Sequence, residues 1–138
     1  MTMPDKATLL RLSDTNMTPA DPTQDIRGRK VIDANGADVG DVDDLLIDDI
    51  ESKVRFMQVA SGGFLGIGEH KFLIPVDTIA RIDNQAVYID RAREVVAASP
   101  EYDPELVDQS YVDRIYQHYG FMPYWMLGYT YPMFPYYV

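Results

Sequence analysis

Cysteine is absent from the 138 residues. Disulfides, thiolate metal sites and cysteine nucleophiles are therefore excluded. Basic side chains are scarce, 12 Lys and Arg against 22 Asp and Glu, for a formal net charge of -10. Phosphate backbones and anionic lipid surfaces are bound by clustered Lys and Arg, so this balance argues against direct nucleic-acid or membrane-surface binding. Histidine occurs only as His70 and His118, which have no set carboxylate partner and make a weak case for a metal site. Long apolar runs are missing as well. No stretch reaches the ~18 apolar residues of a membrane-spanning helix, and the opening MTMPDKATLLRLSD lacks the apolar segment of a secretory signal. The expectation is a cytoplasmic protein with no transmembrane segment.

What remains suits one soluble domain: 46% hydrophobic and 25% charged residues in a length able to bury an ordinary core. Residues 1–24 read as a polar leader, because SDTNMTPADPTQ is turn and loop composition. Ahead of it, Leu9, Leu10 and Leu12 form a short apolar patch that docks on the core or pairs as an edge strand.

Residues 25–92 carry strand signals at short spacing. KVID is followed by Asn35-Gly36, a strong hairpin signal because both residues accept positive φ. From Asp38 to Asp49 apolar and acidic residues alternate, with one phase slip near Asp43-Asp44-Leu45 that suggests a bulge or a strand buried on both faces. DDIESK is a polar turn, VRFMQVA an alternating strand, and KFLIPV an apolar strand whose Pro75 points to a sheet edge or a strand terminus. AVYID closes the set after the turn Asp83-Asn84-Gln85. Five or six short strands with no helix between them predict a mainly β fold, a small antiparallel barrel.

The order of Gly36, Val39-Gly40-Asp41-Val42, Asp44-Leu45-Leu46-Ile47-Asp48, Gly62-Gly63-Phe64-Leu65-Gly66 and Pro75 resembles the PRC-barrel family. That family is named for the cytoplasmic domain of the photosynthetic reaction centre H subunit. The resemblance covers roughly residues 25–92, and DPTQDIRGRKV and SPEYDPELV resemble a stand-alone bacterial subset of the family. It implies a small β-barrel used for protein contacts, with no shared catalytic residues and no cofactor.

Other motifs have plainer readings. The run Asp38, Asp41, Asp43, Asp44, Asp48, Asp49 and Glu51 invites a cation-site reading. It lacks the glycine and closing order of an EF-hand loop, and on an alternating strand most of these carboxylates face water. The glycines of SGGFLGIGEH match neither phosphate-loop pattern, and a strand rather than a helix follows them. A loop displaying Phe64, Leu65 and Ile67 is the simpler reading. Ser61, Ser99 and Ser110 lack nucleophile-elbow context. The chain reads as a non-enzyme.

Residues 93–120 read as a linker and a helix, the helix running from about Pro104 to Tyr119. Asp103-Pro104-Glu105 supplies a start, Val107, Tyr111, Ile115 and Tyr119 an apolar stripe, and Gly120 a C-terminal cap. In the tail, residues 121–138, lie eight of the 16 aromatics, and no Asp, Glu, Lys or Arg follows Arg114. Such a tail covers its own barrel, packs on a second copy across a symmetry axis, or awaits another protein or a membrane interface. The expected function is an adaptor or scaffold that self-associates as a homodimer and holds a further protein partner. Its contact candidates are Phe64, Leu65, Tyr119, Phe121, Tyr124 and Trp125. The competing readings are a barrel binding a small ligand or cation on the acidic face, and an accessory factor contacting a ribosomal protein.

Overall fold

The computed structural model describes residues 9–15, 25–62, 70–103 and 108–132. Seven strands, β1 (Leu9–Arg11), β2 (Lys30–Ile32), β3 (Asp38–Asp48), β4 (Val54–Ser61), β5 (His70–Pro75), β6 (Ile79–Ile82) and β7 (Ala86–Ile89), precede α1 (Arg93–Ala97) and α2 (Gln109–Tyr119). The sheet runs β5-β4-β3-β2-β7-β6, with β1 added beside β3, and curls into a half-barrel. The mainly β class is as the sequence predicts, with one difference. β2 and β7 run parallel, because the β6–β7 hairpin returns the chain alongside β2 in the same direction. A sequence pattern reports faces, not strand direction.

The β2–β3 hairpin forms, although its turn is not the double positive-φ type. Among the described residues only Gly36 of the Asn-Gly pair takes positive φ, at 85°. The N–H of Gly36 donates to the Asp33 carbonyl (3.1 Å) and that of Asp33 to Ala37 (2.9 Å), as in a turn ending in a left-handed glycine. The buried Asp33 carboxylate accepts N–H bonds from Asn35, Ala37 and, across 60 positions, Arg93. It thereby ties the hairpin to the first turn of α1, whose own N-cap, Ala92, has no side-chain acceptor.

The long β3 breaks register with β4 twice, between Val42 and Asp44 and between Leu46 and Ile47. Both devices suggested by the phase slip are present: the bulge, and burial on both faces of the continuous run Asp44–Asp48. At Gly40, φ is 152° and a Cβ would lie 2.3 Å from the Ala60 carbonyl oxygen. Pro75 is both of the things its type allows, the last residue of β5 and part of a strand at the sheet edge. β6 had no signature in the sequence, because a bulge between Ile79 and Arg81 spaces its buried residues three apart and so hides the period of two. The leucine patch pairs as β1, Leu10 opposite Ile47.

α2 begins later than predicted. Asp108 is its N-cap, accepting the Tyr111 N–H at 2.8 Å, whereas Asp103 lies outside the helix; residues 104–107 lie outside the described residues. Gly120 ends it at φ 79°, the left-handed cap expected of glycine. The stripe Tyr111, Ile115 and Tyr119 is buried, with Val112 and Tyr116. Tyr116 meets Phe56 of β4 at a ring separation of 5.1 Å. Residues 93–97, read from sequence as linker, form the short α1.

Candidate functional site

At the end of the barrel where β3 turns into β4, one carboxylate organises the backbone. Asp48 accepts the N–H groups of Ile50 (3.0 Å), Glu51 (2.5 Å) and Lys53 (3.3 Å), and Ser52 sits at φ 57°. Asp48 also receives the Nε of Arg55 at 2.8 Å, while the other end of that guanidinium bonds Glu51 at 2.7 Å. Asp48 and Arg55 are each 1% exposed. Charges taken so far from water persist only when paired and hydrogen-bonded. Burial disfavours ionised Asp48, but the Glu51 N–H and the Arg55 charge outweigh it and hold its pKa below the ordinary carboxylate value.

The arm after Gly120 completes the surroundings of Arg55. Two tight turns, Met126 N–H to Pro123 and Tyr129 N–H to Met126 (both 3.1 Å), fold residues 123–129 back on themselves. Tyr124 and Trp125 are thereby packed on Tyr116, with ring separations of 6.4 and 6.0 Å. The Arg55 guanidinium carbon lies 4.3 Å from the Tyr124 ring centre, 5.4 Å from that of Tyr131 and 5.9 Å from that of Tyr129. A desolvated cation against the negative faces of aromatic rings is an attractive arrangement. Burial pushes the Tyr124 phenol up to about 12, so it stays a neutral partner.

Two phenol hydroxyls fasten the arm at and beyond the close of these turns. Tyr129 donates to Asp77 at 2.9 Å and Tyr131 to the Val54 carbonyl at 3.1 Å. The Lys53 ammonium stands 5.1 Å from the Tyr131 ring centre. Asp77 is raised above the ordinary carboxylate value by burial, against the opposing effect of the Tyr129 hydrogen bond. Among the described residues its second oxygen has no hydrogen-bond partner, and neither do the hydroxyls of Tyr116 and Tyr124.

The residues singled out from sequence part company here. Phe64 and Leu65 lie outside the described residues. Tyr119, Tyr124 and Trp125 are buried within their own chain, at 2%, 9% and 9% exposure. Half-buried Phe121 stands apart from the Arg55 group, beneath Arg91 at 4.7 Å. Arg55, Asp77, Tyr129 and Tyr131 were not recognised. The available signal was Arg55 itself, a guanidinium within the apolar strand VRFMQVA, second in it, with acids seven and four positions before it, since arginine is almost never fully buried without a partner.

The acidic run is not a uniformly solvated face, for Asp44 and Asp48 point inward. Asp44 accepts from the Ser13 hydroxyl and N–H, which anchor the segment after β1. Asp38 and Asp41 share Lys30, and Asp43 takes Lys71 and Gln58. His70 bonds Glu101 and His118 bonds the Val95 carbonyl. Among the described residues no three His, Cys, Asp or Glu side chains are grouped to hold a metal ion, and no helix is long and apolar enough to cross a membrane.

No curated protein matches the chain. The family model of the PRC-barrel domain matches residues 22–96, from the approach to β2 into α1 and more than half of the sequence, and the chain belongs to that family.

Proposed function

We propose that this chain is a non-enzymatic protein–protein interaction module of the cytoplasm, an adaptor that self-associates as a homodimer through its C-terminal arm and presents the barrel to a further protein partner. The observation that carries this reading is how the arm is attached. Among the described residues no backbone–backbone hydrogen bond joins the arm to the sheet, and aromatic side chains hold it there, Tyr129 to Asp77, Tyr131 to Val54 and three rings about Arg55. Tyr and Trp on a segment without charge are the anchors favoured at interfaces. A net charge of -10 favours a protein over a nucleic acid as the partner.

The test is the solution mass of the full chain, by light scattering after gel filtration over a wide concentration series. The expected result is a dimer whose population grows with concentration and falls in the Trp125→Ala variant. A monomer at every concentration overturns the self-association reading.

A further inference from the structure

We propose that the barrel end around Arg55 and Asp77 is a recognition site for a Tyr-x-Tyr segment, and that two copies of this chain exchange their arms through it. The proposal rests on the self-association reading above and adds to it the site, the register and the occupant.

The resident arm shows what the site reads. Tyr129 and Tyr131 are two positions apart, at and just beyond the close of the Met126–Tyr129 turn, and both rings face Arg55, at 5.9 and 5.4 Å from its guanidinium carbon. Their hydroxyls reach two fixed acceptors, the Asp77 carboxylate and the Val54 carbonyl, while Arg55 and Lys53 meet their rings. Phenylalanine would fit the ring contacts and forfeit both hydrogen bonds. Among the described residues, the spare acceptor on Asp77 and the unpartnered hydroxyl of Tyr116 leave polar capacity there.

The arm can also leave without dismantling the barrel. Among the described residues, the backbone–backbone hydrogen bonds of residues 121–132 are local or return to Tyr116 of α2, and none joins the sheet. Release therefore opens no strand ladder. The joint is the left-handed Gly120 followed by Phe121, exposed Met122 and Pro123.

A second copy is the occupant because it carries the matching segment. With no Asp, Glu, Lys or Arg after Arg114, that segment brings no charge of its own toward a second acidic chain. Exchange replaces each contact by its equivalent, so it is governed by concentration against the local concentration that the short joint imposes.

The absence of cysteine makes the test direct. Full-length chains carrying Ser52→Cys, at the exposed residue beside Lys53, and, separately, Thr130→Cys are mixed and treated with a short bis-maleimide, the two distinguished by tags of different size. These changes leave Arg55, Asp77, Tyr129 and Tyr131 in place. The expected product is a covalent heterodimer whose yield rises with concentration. A synthetic peptide of residues 121–132 should suppress it, and the same peptide with Tyr129→Phe and Tyr131→Phe should need about thirtyfold more, as two lost hydrogen bonds imply. A chain bearing both cysteine substitutions, cross-linked within itself, verifies that the positions are in reach. Intrachain product with no heterodimer at any concentration overturns arm exchange. If light scattering still shows a dimer in that case, self-association stands and uses another surface; a monomer throughout ends both. Equal potency of the two peptides overturns the Tyr-x-Tyr recognition.

Discussion

Replacing Arg55 by methionine, which keeps most of the volume and removes the charge, isolates the buried ion pair. Arg55 bonds two carboxylates at almost the same distance, 2.8 Å to Asp48 and 2.7 Å to Glu51, but their side chains are 1% and 54% exposed. Distance alone predicts similar contributions, whereas desolvation predicts a large inequality. Removing one member of a buried pair leaves the other charge stranded, at about 3–5 kcal/mol. An exposed pair is screened and contributes about 0–1 kcal/mol. Arg55→Met should therefore destabilise the chain by about 3–5 kcal/mol, with roughly 1 kcal/mol of that from the ring faces of Tyr124 and Tyr131. At this chain length the melting temperature should fall by roughly 10–15 °C. Glu51→Gln should cost less than ~1 kcal/mol. Arg55→Lys, which keeps the charge and loses the two-pronged geometry, should fall between them. Urea unfolding followed by the fluorescence of Trp125 reads all three, and because that single tryptophan sits in the arm, far-UV circular dichroism on the same samples separates arm release from unfolding of the barrel. Comparable costs for Arg55→Met and Glu51→Gln would refute the desolvation reasoning.

Three further outcomes follow from the same physics. Gly40→Ala forces a methyl group to within 2.3 Å of the Ala60 carbonyl oxygen at a φ of 152°, so a loss of about 2–3 kcal/mol or failure to fold is expected in chemical denaturation; full stability would mean that the β3–β4 approach is not as described. Asp108→Ala removes the α2 cap and should cost about 1 kcal/mol, measured by thermal unfolding; an unchanged melting temperature would mean that the helix does not start there. The pH dependence has two opposite parts. Asp48 and Asp33 have folded pKa values below the ordinary one, so their contribution is complete above the unfolded value, about 4, and is lost as pH falls through their folded values. Asp77 is raised, so stability declines as pH climbs from the unfolded value through its higher folded one. Asp77→Asn should remove that decline, and an unchanged pH profile of the variant's unfolding free energy would contradict the burial of Asp77.

The fold class was legible because a half-buried strand leaves a period of two in the sequence, and this chain leaves it repeatedly. Leu45 and Ile47, two apart, announced the inner half of β3, Pro75 announced an edge, and Gly120 announced a helix end. β6 was invisible because its bulge erases that period. The α2 boundary was misread because Asp103-Pro104 satisfies the local rules of a helix start as well as Asp108 does, and a cap is chosen by where the helix can lie on the barrel. The charge of -10 and the missing cysteine and long apolar runs were read from composition alone.

Pairing was beyond the reach of local pattern. That β2 lies parallel to β7, that Asp33 reaches Arg93, and that Asp48 and Arg55 turn inward while Asp38 and Asp41 stay in water all depend on which strands the half-barrel brings together. The arm is the clearest case. Its aromatic content demanded burial somewhere, since so apolar a segment is costly in water. The place of that burial, over an arginine from β4 and an aspartate beyond β5, is set by contacts between residues 52 to 77 positions apart. No local rule of spacing carries that information, and only the closed chain decides it.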